Sequence, residues 1–229
     1  MEPKQAEPLS ILVEPGLSVS ALLLNPSAAK ACFVFAHGAG AGMQHAFMQA
    51  FAIGLAERGI ASLRYQFPFL ERGSRRPDPP ALAQATVRAA VAAAAEHCPD
   101  LPLIAGGKSF GGRMSSQAQA AEPLRSVSAL AFVGFPLHPA GKPAIDRAQH
   151  LEHVQLPMLF LQGTRDELAH LELLQPVIDK LAPRATLVVV DDADHSFHIR
   201  ARSGRTDAQA MAQMLDAFAE WAAGVTKET

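Results

Sequence analysis

The chain is short of the features that mark several protein classes. It has only two cysteines, Cys32 and Cys98, which is neither a disulfide framework nor a metal-ligand spacing. Twenty Lys and Arg against 22 Asp and Glu leave a net charge of −2. Such a balance offers no electrostatic grip on nucleic acid or on an anionic membrane. No apolar run approaches the ~20 residues needed to cross a bilayer. The segment from Met1 to Pro8 is polar and proline-punctuated, without the apolar region of a signal peptide. These absences predict a soluble, cytoplasmic protein with no nucleic-acid or membrane partner. No internal repeat, low-complexity tract or domain boundary is visible, so residues 1–229 are expected to form one domain.

What is present is alternation. Ile11 to Val13 and Val19 to Leu24 form a hairpin pattern around Pro15-Gly16. Ala31 to Ala36 is a continuous apolar run, as a strand buried on both faces would be, and Ala61 to Tyr65, Leu101 to Ala105, Val127 to Gly134, Met158 to Gln162 and Thr186 to Val190 read as further strands. Helical stretches fall between them at about Gln44 to Glu57, Ala81 to His97, Gly111 to Ala121 and Glu172 to Leu181. A last one follows from Asp207 to Ala222, with Thr206 or Ser203 as its cap. Arg72 to Pro80 reads as a loop, and Pro136 to His153 as a loop or very small lid. Repeated strand–helix alternation predicts an α/β protein, with a mainly parallel sheet covered by helices on both faces.

Gly107-Lys108-Ser109-Phe110-Gly111 stands between an apolar strand and a helix. A Gly-x-Ser-x-Gly turn in that context is the pattern of a nucleophile elbow, in which a tight turn lifts the serine hydroxyl clear of the sheet. A serine hydroxyl needs a base to take its proton, and that base needs an orienting carboxylate. Both follow Ser109 in the expected order, each in a loop after a strand. Asp166 lies in Gly163-Thr164-Arg165-Asp166-Glu167, with Glu167 as the alternative acid. His195 closes Asp191-Asp192-Ala193-Asp194-His195, with His198 as the alternative base. Asp191, Asp192 and Asp194 read as turn formers. Ser109, Asp166 and His195 are therefore expected at the carboxyl edge of the sheet, where open α/β folds bind ligands.

Donors to a developing oxyanion are expected from the backbone N–H of Phe110, at the start of the following helix, and from the loop His37-Gly38-Ala39-Gly40-Ala41-Gly42. Ala39 is the donor expected there, with Gly38 next, and His37 is expected to brace the loop. Phe67, Phe135 and Leu137 follow strand ends on the same edge and are candidates for an acyl pocket or for the core. Arg72, Arg75 and Arg76 read as a solvated loop, or as a basic loop facing a substrate carboxylate.

Gly107-Lys108-Ser109 also resembles the end of a phosphate-binding loop. That motif requires a glycine five residues before Gly107, where Pro102 stands. Lys108 is instead expected to lay its stem on the sheet and show its ammonium to solvent. No metal signature is present, since His195 and His198 lack companion ligands.

With these residues assembled, the chain resembles the α/β-hydrolase superfamily, particularly compact members similar to dienelactone hydrolase. A narrower likeness is to small predicted hydrolases related to a non-enzymatic subunit of an animal histone-acetylation complex. It rests on His37-Gly38-Ala39-Gly40, Arg64-Tyr65-Gln66-Phe67-Pro68, Gly106-Gly107-Lys108-Ser109-Phe110-Gly111-Gly112-Arg113 and Gly134-Phe135-Pro136-Leu137-His138. The resemblance runs from about Ala31 to Trp221. It implies an α/β-hydrolase fold with a minimal lid or none, a Ser109–Asp166–His195 triad, no cofactor and a small-molecule acyl substrate. Dienelactone hydrolase carries cysteine at the elbow where this chain has serine, which turns the expectation toward ester or thioester cleavage. A peptidase or acyltransferase with the same triad, or a catalytically silent scaffold on the same fold, remains the alternative.

Overall fold

In the computed structural model, which describes residues 5–225, eight strands form one sheet in the order β1-β2-β4-β3-β5-β6-β7-β8. β1 (Glu7–Glu14) and β2 (Leu17–Leu24) are the antiparallel hairpin, turned through Gly16 at φ 81°. β2 joins β4 (Ile60–Tyr65) antiparallel. From there β3 (Ala31–Ala36), β5 (Leu103–Lys108), β6 (Val127–Val133), β7 (Met158–Gly163) and β8 (Ala185–Val190) are all parallel.

β3 explains why the sheet is covered twice. Every residue in it is buried, and its side chains alternate between two cores. Cys32, Val34 and Ala36 meet the face covered by α3 (Pro80–His97), α4 (Phe110–Ala121) and α5 (Leu171–Leu181). Ala31, Phe33 and Phe35 meet the face covered by α1 (Ala46–Glu57) and α6 (Asp207–Val225). Period-2 alternation places neighbours on opposite faces, and a strand apolar at every position is satisfied only between two layers. Pro80 opens α3 at its first turn, where a missing N–H costs nothing. Thr206 and Gln209 cap α6 reciprocally. Thr206 N–H donates to Gln209 Oε1 at 2.9 Å, and Gln209 N–H donates to Thr206 Oγ1 at 3.2 Å.

Two segments differ from expectation. A short helix α2 (Pro68–Glu71) precedes the basic loop. Within Pro136 to His153, expected to be a loop or very small lid, Asp146–His153 is a run of 3-10 turns whose Ala148 and Leu151 bury against the core. Their short apolar anchors are too sparse for a helical period to be visible. Among the described residues, no helix is long and apolar enough to cross a membrane.

The chain moves from β3 outward to β4, then back across to β5 on the other side of β3. The carboxyl ends of β3 and β5 therefore flank the point where winding direction reverses, the usual ligand crevice of such sheets. β5 fits there only because it is nearly bare. A Cβ on Gly106 would stand 1.8 Å from the Ala131 carbonyl oxygen of β6. Gly106→Ala is expected to destabilise the fold by about 3 kcal/mol, because backbone must move to admit it. Gly224→Ala, with nothing within 4 Å, should stay within about 0.5 kcal/mol. Urea midpoints of the two variants measure the difference.

Candidate active site

Ser109 sits between β5 and α4 with φ 50° and ψ −114°. A non-glycine residue there is strained by about 1–3 kcal/mol, so the surroundings must enforce it. Steric exclusion on both sides does so. A Cβ at Gly107 would lie 2.3 Å from the Ala36 carbonyl oxygen, and one at Gly111 would lie 2.6 Å from Ala36 Cβ. With glycine at both positions, α4 starts against the sheet and the serine is lifted at its edge. Ser109 N–H donates to Val133 O at 3.1 Å, tying the turn to the end of β6.

The loops after β7 and β8 bring the other two groups to it. Thr164 N–H donates to Val190 O at 3.1 Å and Arg165 N–H to Ala193 O at 2.9 Å, so the two loops are bonded to each other. Asp166 is 2% exposed. Its Oδ1 accepts from Leu168 N–H at 2.8 Å, while Oδ2 lies 2.7 Å from His195 Nδ1. The opposite ring nitrogen, Nε2, lies 2.8 Å from Ser109 Oγ. A carboxylate only accepts hydrogen bonds, so Nδ1 carries the hydrogen and the Nε2 lone pair faces the serine. The three residues singled out in the sequence thus meet in one hydrogen-bonded row.

The alternatives are placed elsewhere. His198 bonds through Nδ1 to Asp207 Oδ2 at 2.8 Å on the surface, and the bond to Asp207 raises its pKa. Asp194 Oδ1 accepts from Ser196 N–H and His198 N–H, at 2.8 and 3.0 Å, and shapes the turn that carries His195. Arg72 pairs with the buried Asp78 at 2.6 Å and so braces its own loop.

His37 is fully buried. Its Nδ1 lies 2.7 Å from Gly38 O, and its Nε2 accepts from Phe67 N–H at 2.9 Å. One nitrogen donating and the other accepting requires the neutral ring, and burial lowers its pKa to about 4. The loop it braces passes over the serine, since a Cβ on Gly38 would be 3.7 Å from Ser109 Cβ. Half-buried Ala39 lies in that loop, and Phe110 opens α4.

Three candidates for an acyl pocket take the core alternative, and the expectation for Lys108 needs correction. Phe67, Phe135 and Leu137 are fully buried and belong to the core. Phe67 packs against His37, Tyr65, Phe69 and Phe110, and Phe135 against Phe132 and Phe160. Lys108 does not extend to open solvent. Its ammonium donates to His195 O at 2.6 Å, with the Phe47 and Phe197 rings 5.2 and 5.0 Å away. Burial lowers its pKa to about 8, against the pull of Asp166 and Asp194.

Gln162 was not legible as a site residue. It donates to Asp166 Oδ2 and accepts from Phe135 N–H at 3.0 Å, holding the acid from behind. The signal available was one amide at the end of the otherwise apolar run Met158 to Leu161.

A match to the alpha/beta hydrolase domain spans residues 29–223. The chain belongs to the alpha/beta hydrolase family. Among solved structures, a dienelactone hydrolase from Anabaena variabilis is similar at 22% identity and TM-score 0.76, over 96% of this chain and 97% of that one. A serine hydrolase without a lid from Xanthomonas campestris is similar at 21% identity and TM-score 0.73, over 96% and 97%. The esterase domain of a Rhodothermus marinus protein matches at 16% identity and TM-score 0.73, over 97% and 100%. At these identities the likeness is one of fold. Family membership supports hydrolase activity in this chain.

The buried histidine has a consequence for acid stability. An unfolded His37 takes up its proton near pH 6.5, whereas the folded one does so only near pH 4. Between these values the unfolded chain holds more protons, so stability falls as pH drops from 6.5 to 4. The urea midpoint should decline over that window, and His37→Gln should show a shallower decline.

Proposed function

We propose that the chain is a serine hydrolase that cleaves a carboxylic or thiol ester of a small molecule through an acyl-enzyme. The observation that carries this reading is the row from Ser109 Oγ to His195 Nε2 at 2.8 Å and from His195 Nδ1 to Asp166 Oδ2 at 2.7 Å. A surface serine has no reason to hold a strained backbone against a histidine oriented by a buried carboxylate. Such a row supplies what a serine needs to act as a nucleophile, an adjacent base oriented by a third group.

In this reading Ser109 Oγ attacks the carbonyl carbon while His195 Nε2 takes its proton. Asp166 keeps the hydrogen on Nδ1 and stabilises the imidazolium that forms. The oxyanion rests on the N–H groups of Phe110 and Ala39, where the α4 dipole favours negative charge. Collapse expels the alcohol or thiol, which takes the proton from His195, and leaves the acyl group on Ser109. Water, deprotonated by His195, then attacks the acyl carbon; as the bond to Ser109 Oγ breaks, His195 returns the proton to Oγ and the carboxylic acid leaves. The reaction as written uses no cofactor, and it suits the cytoplasmic setting expected from the sequence. Lys108 and Gln162 act through others as positioning residues, one holding the His195 backbone and one holding Asp166.

Intact-mass analysis after exposure to a fluorophosphonate tests the reading. One adduct is expected on wild type and none on Ser109→Ala. His195→Ala should react about a hundred-fold more slowly or worse, having lost its general base. A folded wild type that takes no adduct sinks the proposal.

A further inference from the structure

Beside the serine, α4 carries positive charge that the described residues leave unmatched. Buried Ser116 donates to Arg113 O at 2.9 Å and meets His150 Nε2 at 2.7 Å. This contact lays the 3-10 run 146–153 along α4. Three residues earlier on each element stand Arg113 and Arg147, both half-buried. Burial and the nearby Arg147 charge push the Arg113 guanidinium down, and burial does the same to Arg147.

Among the described residues, no carboxylate pairs with either arginine. Arg113 Nε is buried with no hydrogen-bond partner. His150, neutral above about pH 4 because burial and then Arg113 lower its pKa to about 4, neither matches that charge nor adds to it near neutral pH. Two desolvated guanidiniums near one another are unfavourable unless an anion joins them, and Arg is suited to carboxylate and phosphate geometry.

Arg113 stands one helical turn from the serine along the chain. Arg113 N–H donates to Ser109 O at 3.1 Å, closing the first turn of α4, and its Cζ lies 5.9 Å from the Phe110 ring. Four residues of helix amount to about 6 Å along the axis, and the helix N-terminus adds its own positive potential.

We propose that Arg113 and Arg147 form a subsite for an anionic group, carboxylate or phosphate, at the end of a short chain on the ester substrate. The inference rests on the hydrolase reading and narrows it to anionic esters.

Binding to Ser109→Ala protein tests it without turnover, by calorimetry with monomethyl glutarate, methyl 3-phosphonopropanoate and uncharged dimethyl glutarate. At least one charged ester should bind ten-fold or more tighter than the neutral one. In Ser109→Ala/Arg147→Gln and in Ser109→Ala/Arg113→Gln that preference should shrink by about ten- to a hundred-fold, the loss of one charged hydrogen-bond partner. The tighter of the two charged esters identifies the anion. Equal binding of charged and neutral esters, no binding of any of them, or an unchanged preference in Ser109→Ala/Arg147→Gln overturns the subsite. The fluorophosphonate reaction decides the hydrolase reading separately, so either can fail alone.

Discussion

The structure depends on the lack of space around the end of β5. Its backbone passes so close to β3 and β6 that a single methyl group at Gly106 or Gly107 would collide with a neighbouring carbonyl. Gly111 extends the same restriction into the first turn of α4. A helix allowed to begin against the sheet forces the intervening residue into a left-handed, strained turn, and that residue is Ser109. The strain is local, while the packing that maintains it spans three strands and a helix. Close-packed interiors transmit such constraints because they have little room to relax.

Around this point the other groups are held by the backbone of their loops and by side chains outside the row, as well as by each other. The loops after β7 and β8 are bonded together, and Gly163 permits it because a Cβ there would stand 2.3 Å from Ala193 O. Lys108, the residue before the serine, reaches back to the His195 carbonyl. The elbow and the histidine loop are thus cross-linked by a side chain whose charge is shared with two aromatic rings. Gln162 completes the frame behind Asp166. Groups fixed in this manner need little reorganisation when charge develops, the basis of electrostatic preorganisation.

Positive charge gathers along α4, whose N-terminus adjoins the serine, whose first turn carries Arg113, and which has the Arg147 charge near Arg113. The 3-10 run 146–153 matters for this reason. It is held on α4 by Ala148, Leu151 and the His150–Ser116 bond, and it brings a second guanidinium to a helix that has one already.

Much of this was readable from the amino-acid order. Strand–helix alternation implied a doubly covered, mainly parallel sheet, and Gly-Lys-Ser-Phe-Gly between a strand and a helix implied the turn. Asp166 and His195 were found because each follows an apolar run, and short-range pattern is what a sequence displays. Lys108, Phe67, Phe135, Leu137 and Gln162 depend on what lies across the sheet edge, contributed by residues tens of positions away. Nothing near Lys108 in sequence announces Phe47, Phe197 or the His195 carbonyl, so its local pattern points to solvent. The sequence by itself determined the order of elements, the serine turn and the identity of its partners, since periodicity and glycine placement are local properties. Only the tertiary structure decided which nitrogen of His195 faces the serine, which phenylalanines are core and where two arginines meet without an acid, because each depends on long-range packing.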